Sequence, residues 1–377
     1  MTTVIISCLS LALTFLYAIL VLILRTGWQK IPSFSAKVNP CVTKVSVLIA
    51  ARNEAEKIHL TIEDILAQNY PKELFELIIV DDHSTDGTSQ VISSYANMGV
   101  KLIVLNESQA LNSYKKKAIA KAIDLANGEL MVATDADCRM GQNWLHQIVS
   151  LYEEKKYNLI SSPVVYFEEK SLFERMQTLE FLYLIGFGAA GIGHNMPSTC
   201  NGANLAYKKE VFLALGGFKG IDDLASGDDE LFLHKVASTY PGTVGFCKAK
   251  DAIVYTHAKP NLKEFISQRK RWASKSVKYK NKKIIALAIA MWLFNISLAL
   301  NFFLAFFYTD FLKLVVIQFA IKFTAEMFFL ELLTSFANRK NLLFILTFTT
   351  FLHPIYLIYI GIIGNSGKYS WKGRMVK

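Results

Sequence analysis

Two aspartates, Asp135 and Asp137, stand one alanine apart at the end of the apolar run Leu130–Ala133. Carboxylates spaced this way suit a hard divalent cation: Mg2+ or Mn2+ takes oxygen ligands, keeps several waters, and is commonly held by one or two carboxylates plus substrate phosphates. The structural alternative has Thr134 or Asp135 capping a following helix and Asp137 closing an Asx turn. A second acidic pair, Asp81 and Asp82, ends the run "ELIIV" and opens "HSTDGT", where Gly87 is free to take a positive φ and Thr88 to cap a helix. Turn chemistry explains Asp86 to Thr88. It leaves Asp81 and Asp82 needing donors, such as the imide N–H of a base or a ribose hydroxyl, to offset their mutual repulsion. A third pair, Asp228 and Asp229, precedes the apolar Leu231, Phe232 and Leu233. One of these carboxylates could act as general base on an acceptor hydroxyl; the alternative is a helix start whose acids favour the positive dipole end. His194 and His257 read as ordinary polar or loop residues, and no H-x-x-x-H spacing supports a metal.

The elements that must hold these acids alternate. Apolar runs, "KVSVLIA", "ELIIV", "KLIVL", "ELMVA" and "NLISSPVVY", are separated by segments of helical periodicity such as "EAEKIHLTIEDILAQ" and "KKKAIAKAIDLA". Parallel neighbours need crossover helices, so the alternation predicts an α/β domain with a mostly parallel sheet wound on both faces. Ligands of such sheets bind beyond the carboxyl ends of the strands, so "VDDHSTDGT" and "TDADC" are expected to open onto one crevice. Neither tip carries a Gly-rich phosphate fingerprint, and glycine-loop backbone is therefore not expected to be the main phosphate cradle there.

At 377 residues the chain has room for more than this domain. Residues Val4–Leu24, Ile284–Thr309 and Asn341–Gly364 are free of Asp, Glu, Lys and Arg and reach the roughly 20 apolar residues that span a bilayer. The first reads as an anchor rather than a signal peptide, because it lacks a preceding basic region and its apolar core is long. Arg25, Lys30, Lys37 and Lys44 follow it, and Lys278, Lys280, Lys282 and Lys283 stand before the second, which puts residues 25–283 on the cytoplasmic side of a cell membrane. The predicted organisation is an anchor over 1–25, a catalytic domain over 44–260, an amphipathic interfacial helix over 261–283, a membrane region of two or three spans over 284–365, and a basic tail over 366–377. Within the membrane region, residues 311–333 carry Lys313, Lys322, Glu326 and Glu331, with Lys322 and Glu326 one turn apart. This segment either spans or lies in the interface. "FLYLIGFGAAGIG", 181–193, is too short to span and suits an interfacial segment or a core helix. The formal charge of +10 sits largely at membrane edges, which points to membrane lipids and phosphorylated substrates and away from nucleic acid. Five scattered cysteines without a C-x-x-C pair argue against a disulfide framework or a zinc site.

Five motifs in order, "VSVLIAARNE", "VDDHSTDGT", "ATDAD", "SGDDE" and "QRKRW", make residues 44–280 resemble the membrane-bound members of glycosyltransferase family 2, relatives of the cellulose, chitin and hyaluronan synthases and of ceramide glucosyltransferase. The resemblance implies the type-A nucleotide-diphospho-sugar fold and the following duties. Asp81 and Asp82 recognise uracil and ribose of a UDP-sugar, and Ala50, Arg52 and Glu54 of the first motif line the same nucleotide subsite. Asp135 sits against the nucleotide, and Asp137, with Asp135, binds the Mg2+ or Mn2+ that neutralises the diphosphate. Lys115 falls where relatives place a basic residue near the pyrophosphate, although Tyr114 replaces the usual preceding glycine. Asp229 is the base, or Asp228 if the alignment shifts by one residue. Gln268, Arg271 and Trp272 complete the Q-x-x-R-W motif over the diphosphate and acceptor, with Arg269 adding positive charge. "CNGANLAY", 200–207, resembles the acceptor-side loop.

The reaction so implied is an inverting, metal-dependent hexosyl transfer to a hydroxyl of a membrane-associated acceptor, lipid being favoured over a growing glycan because few spans are available for a translocation channel. The alternatives are a processive polysaccharide synthase, a membrane nucleotidyl- or phosphotransferase, which leaves "QRKRW" and "GDD" without roles, and a nucleotide-sugar sensor.

Overall fold

The computed structural model describes residues 2–36, 41–106, 113–224, 226–279, 282–364, 369–371 and 374–376. Lys37, Lys280, Lys368, Lys372 and Lys377, which belong to the predicted basic flanks and tail, lie outside these residues. Helix α1 (Thr2–Lys30) is followed by β1 (Val45–Ala51), α2 (Ile58–Leu66), β2 (Phe75–Asp81), α3 (Thr88–Ser93), β3 (Val100–Val104), α4 (Tyr114–Leu125) and β4 (Leu130–Asp135). Then come β5 (Arg139–Met140), α5 (Trp144–Lys155), β6 (Leu159–Ser161), β7 (Val164–Tyr166), α6 (Leu172–Gly193), β8 (Leu205–Lys208), α7 (Lys209–Ala214), α8 (Glu230–Thr239), β9 (Val244–Phe246) and β10 (Val254–Thr256). Helices α9 (Leu262–Ser274), α10 (Lys282–Leu304), α11 (Thr309–Phe336) and α12 (Leu346–Ile363) complete the helical part, and two short antiparallel strands, β11 (Tyr369–Trp371) and β12 (Arg374–Val376), follow. The chain divides into an α/β unit, built mainly from residues 30–168 and 191–258, and a helical unit built from residues up to 29, 169–190 and 259–367.

In the α/β unit the seven-stranded sheet runs β3-β2-β1-β4-β8-β6-β9. Strands β3, β2, β1 and β4 are parallel, and β8 is antiparallel to both neighbours. The winding proceeds outward from β1 to β3, then returns to place β4 on the other side of β1, so β1 and β4 flank the point where strand order reverses. Strand β1 reads as a continuous apolar run because it is covered on both faces: Val45, Val47, Leu48, Ile49 and Ala51 are buried, and α4 packs across β1 and β2. Entry into β4 is pressed against β1 at Gly128, whose N–H bonds Ser46 Oγ at 2.9 Å; a Cβ there would lie 2.5 Å from Ser46 N.

"NLISSPVVY" is not one strand. It divides at Ser162–Pro163 into β6 of the large sheet and β7 of a second, three-stranded sheet ordered β5-β10-β7. Pro163 has no N–H to give a ladder. Its carbonyl instead accepts from Val254 N at 3.1 Å and from Asn204 Nδ2 at 2.8 Å. Buried Asn204 also donates to Ala252 O at 2.8 Å and accepts from Trp144 Nε1 at 2.9 Å.

In the helical unit three helical segments, Thr3–Lys30, Ile284–Leu304 and Lys340–Ile363, are long and apolar enough to cross a membrane. Their outward side chains are large and apolar, Phe15, Ile19, Phe303 and Ile355 among them. The second ends at Leu304 rather than Thr309, because Tyr308 is extended and α11 begins there. Helix α11 buries one ion pair and leaves Lys313 and Glu331 exposed: Lys322 Nζ donates to both carboxylate oxygens of Glu326, at 2.7 and 2.8 Å, and Tyr17 of α1 also donates to that carboxylate. Tyr17 stacks on Phe294 of α10 at 4.1 Å, and Gln318 of α11 joins Thr14 of α1 and Asn301 of α10, each at 2.8 Å. The stretch 181–193 lies within α6. Its G-x-G-x-x-G string, Gly186–Gly191, is therefore helix interior rather than a strand-to-helix phosphate turn, and a Cβ at Gly186 would collide with Leu333. The predicted amphipathic helix over 261–283 stops at Ser274 and continues as a 3-10 turn, Lys275–Lys278.

Removing one member of a buried ion pair leaves an uncompensated charge, whereas removing both does not. Glu326→Leu is expected to destabilise the protein by about 3–5 kcal/mol, and the double variant Lys322→Met/Glu326→Leu to recover most of that loss. Thermal unfolding of detergent-solubilised protein checks this; equal stability of Glu326→Leu and wild type would contradict it.

Candidate active site

Strand register brings the first acids into one row. Ala51 of β1 is level with Asp81 of β2, and Ala50 is level with Asp135 of β4, so Asp81 and Asp135 end the strands on either side of the β1 end at Ala50 and Ala51. Beyond this row the β1 and β2 exits are stitched together. Arg52 Nη1 donates to the carbonyls of Asp82 and His83 at 2.8 and 2.7 Å. Asn53 takes a left-handed conformation, φ +51°, which lets its Oδ1 accept from Thr85 N at 2.9 Å and its N–H reach Ser84 Oγ at 3.0 Å. Glu54 N donates to Thr88 Oγ1 at 2.9 Å, and Ala55 N to Asp86 Oδ2 at 3.1 Å. Burial alone would raise the Asp86 carboxyl, but the bonds from Thr88 and Ala55 outweigh it and hold it below its ordinary value.

The donors that offset charge at the second acidic pair come from the chain itself. Asp81, 1% exposed, accepts from Ser84 N at 2.9 Å and from the Ser89 hydroxyl; Asp82, also 1% exposed, meets His83 Nδ1 at 2.9 Å. An external base or ribose is therefore not required to satisfy Asp81. Gly87 adopts φ +91° and is itself the N-cap residue of α3, which displaces Thr88 from the capping position.

At β4 the helix-cap alternative does not apply. The strand continues through Asp135, a turn leads to β5, and the next helix starts only at Trp144. Asp137 is partly exposed and makes no hydrogen bond or ion pair to another described residue. Among the described residues no third His, Cys, Asp or Glu joins the two acids to form a closed cage. Cys138 is not a ligand of this kind, because burial, followed by the charges of Asp137 and Asp135, pushes its thiol well up. Two carboxylates without a third protein ligand, Asp137 unbonded to other described residues and Asp135 with one oxygen on Lys115, are a donor set suited to a divalent cation shared with a substrate diphosphate.

Lys115 joins two of the acidic groups. Its ammonium lies 2.7 Å from Asp135 Oδ1 and 3.3 Å from Asp228 Oδ2. Burial by itself would lower its proton affinity, but the carboxylates of Asp135 and Asp228 outweigh burial and push it up, so the cation is permanent at neutral pH. Asp229 caps α8. Its Oδ1 accepts from Glu230 N at 2.6 Å and its Oδ2 from Gly202 N, in the 200–207 loop, at 3.1 Å. The loop is fastened to the same helix by Thr199, which bonds Glu230, and by Ser198 O, 2.7 Å from His234 Nε2. Asp229 thus both caps α8 and ties it to the 200–207 loop.

Gln268, Arg269, Arg271 and Trp272 belong to the helical unit, in α9. Arg269 is 3% exposed: its guanidinium bonds Glu180 at 2.8 and 3.3 Å and Gln268 at 2.7 Å, and lies over Trp272 and Phe265 with centroid distances of 4.2 and 4.6 Å. These contacts make Arg269 a strut of its own unit, and one neighbour of the Trp272 indole is this guanidinium. Asn53, Ser84, Ser89 and Lys116 are the site-building residues that sequence reasoning missed. Asn53, a left-handed-tolerant residue directly after a strand, was the one with a readable signal.

A parallel α/β sheet with acids at its switch point is the architecture of the type-A nucleotide-diphospho-sugar glycosyltransferases. Residues 46–216 match the model of Glycosyl transferase family 2, so the chain carries a domain of that family. A beta-monoglucosyldiacylglycerol synthase of Nostoc sp. is 31% identical over 116 residues, 31% of this chain and 25% of that protein. The hyaluronan synthase of Streptococcus pyogenes serotype M3 is 27% identical over 249 residues, 63% of this chain and 58% of that protein. The matched segments thus span a quarter to under three-fifths of these relatives' lengths. Among solved structures, a mannosyltransferase from Pyrobaculum calidifontis in complex with GDP-Man and Mn2+ shares the fold, with a TM-score of 0.58 at 20% identity, over 92% of this chain and 97% of that one.

A lysine whose proton affinity is raised on folding contributes stability that is fully present below its unfolded pKa and lost only as pH rises through the folded value. Lys115→Met is therefore expected to lower the melting temperature by a nearly constant amount from about pH 6 to 9. Thermal shift across that range tests this; a difference that vanishes by pH 8 would overturn the assignment of a permanent charge.

Proposed function

We propose that the protein is an inverting glycosyltransferase that moves a hexosyl group from a UDP-sugar to a hydroxyl of a membrane-associated acceptor, a lipid in preference to a growing glycan, at the cytoplasmic membrane face. The observation that carries this reading is the Lys115 junction, where Asp135, the β4 acid expected at the nucleotide, and Asp228, of the pair expected at the acceptor, share one ammonium. The family 2 domain and the three membrane-length apolar segments support it.

Asp135 and Asp137 would hold Mg2+ or Mn2+, which when bound would neutralise the diphosphate and stabilise charge building on the leaving UDP. Asp229 takes the proton from the acceptor hydroxyl. A carboxylate has about four lone-pair sites, so the N–H groups of Gly202 and Glu230 orient it and leave it able to accept the proton. The acceptor oxygen forms its bond to the anomeric carbon as the bond to the diphosphate oxygen breaks, which inverts the configuration. Lys115 supplies positive charge beside the departing group.

Membranes containing the protein, given a panel of labelled UDP-sugars and Mn2+, are expected to yield free UDP and organic-soluble label. Precipitable, growing product would instead support a processive synthase, a reading favoured by the likeness to the hyaluronan synthase. Released UMP or pyrophosphate would exclude sugar transfer. Asp229→Asn is expected to lose about 10²–10⁴ in turnover while keeping donor affinity. Excess chelator is expected to abolish transfer, and Asp137→Ala to behave alike with Mn2+ present; full turnover in either case would remove the cation from the mechanism.

A further inference from the structure

We infer that Lys116 is the positioning residue for the Asp228–Asp229 acids, acting through the chain segment that leads into them. Resting on the reading of Asp229 as base, the inference starts from a lysine with no duty in that chemistry. Lys116 stands in the first turn of α4, is 1% exposed, and donates to the carbonyls of Ile221, Leu224 and Ser226 at 2.7, 2.6 and 2.7 Å. An ammonium carries three protons, and these three bonds account for all of them. All three fall on one short segment that ends two residues before Asp228.

Other bonds at the start of that segment are local: Ile221 N donates to Phe218 O at 3.0 Å and Gly220 N to Asp222 Oδ1 at 3.1 Å. Gly216, Gly217 and Gly220 have positive φ, as does Gly227 immediately before Asp228, so the backbone is free at both ends of the stretch. Lys235 of α8 bonds Gly217 O and Lys219 O at 2.6 and 3.1 Å and secures the near end. Lys116 secures the far end. Burying an ammonium is unfavourable unless it is fully bonded, and here backbone oxygens replace its water. Adjacent lysines thus address the same acids in two ways. Lys115 touches Asp228 directly, and Lys116 fixes the backbone from which both carboxylates project. The first turn of α4 thereby sets the distance between the β4 tip and the base.

The test uses full-length Lys116→Met and Lys116→Gln in detergent or nanodiscs. Hydrogen exchange of residues 217–229 is expected to accelerate in both variants while β1 and β4 stay protected. A misplacement of about 1 Å costs on the order of 10²-fold in rate, so kcat is expected to fall about that much in Lys116→Met and less in Lys116→Gln, with donor KM held within about threefold. Unchanged exchange in 217–229, unchanged kcat, or a parallel rise in donor KM would each overturn the inference. Should Lys116→Met fail to fold, Lys116→Gln, which retains two donors, carries both measurements. If the wild type transfers no sugar, the proposed function fails, and the exchange measurement still decides whether Lys116 holds the segment.

Discussion

The α/β unit depends on one electrostatic arrangement: a lysine ammonium shared by carboxylates that arrive from distant parts of the chain. Asp135 ends a strand and Asp228 ends a glycine-flanked loop almost a hundred residues later, and Lys115 lies within 3.3 Å of both. Without a cation among them, acids so gathered repel one another, and the strand tip and the loop would separate. The sheet supplies the rest. Parallel strands leave their carboxyl ends on one edge, and the reversal of order at β1 and β4 leaves a gap there that no crossover helix covers.

Charge is neutralised differently at each acidic pair. Asp81, 1% exposed, accepts from Ser84 and Ser89 and braces its own loop, whereas Asp137 is partly exposed and bonds no other described residue. Asp229 lies between these cases, partly exposed and oriented by two backbone N–H groups.

The parts of this arrangement that are periodic or local were legible in the sequence. Alternating apolar runs and amphipathic segments gave the mostly parallel sheet, and "TDAD" and "GDD" marked carboxylates whose neighbours in sequence are also neighbours in space. What was hidden depends on the path of loops. "KKK" at 115–117 looks like a solvated helix face, yet Lys116 is buried, because the three carbonyls that receive it lie over a hundred residues away. The bond from Ser89 to Asp81 closes a loop that turns left-handed at His83, φ +56°, which no composition rule reveals. The reading of "NLISSPVVY" as one strand failed for a readable reason, the proline within it. The burial of Arg269 had no readable sign, because its acid partner Glu180 sits on another helix.

Asn204 carries a different kind of lesson. Its amide bonds the carbonyls of Pro163 and Ala252 and receives the Trp144 indole, so its polar atoms face three separate parts of the fold. A side chain with that many fixed neighbours acts as a length gauge. Insertions or deletions between Gly202 and Asn204 would throw all three contacts out of step, and variation in loop length should accumulate instead near Gly216–Gly220, where the backbone has latitude to absorb it.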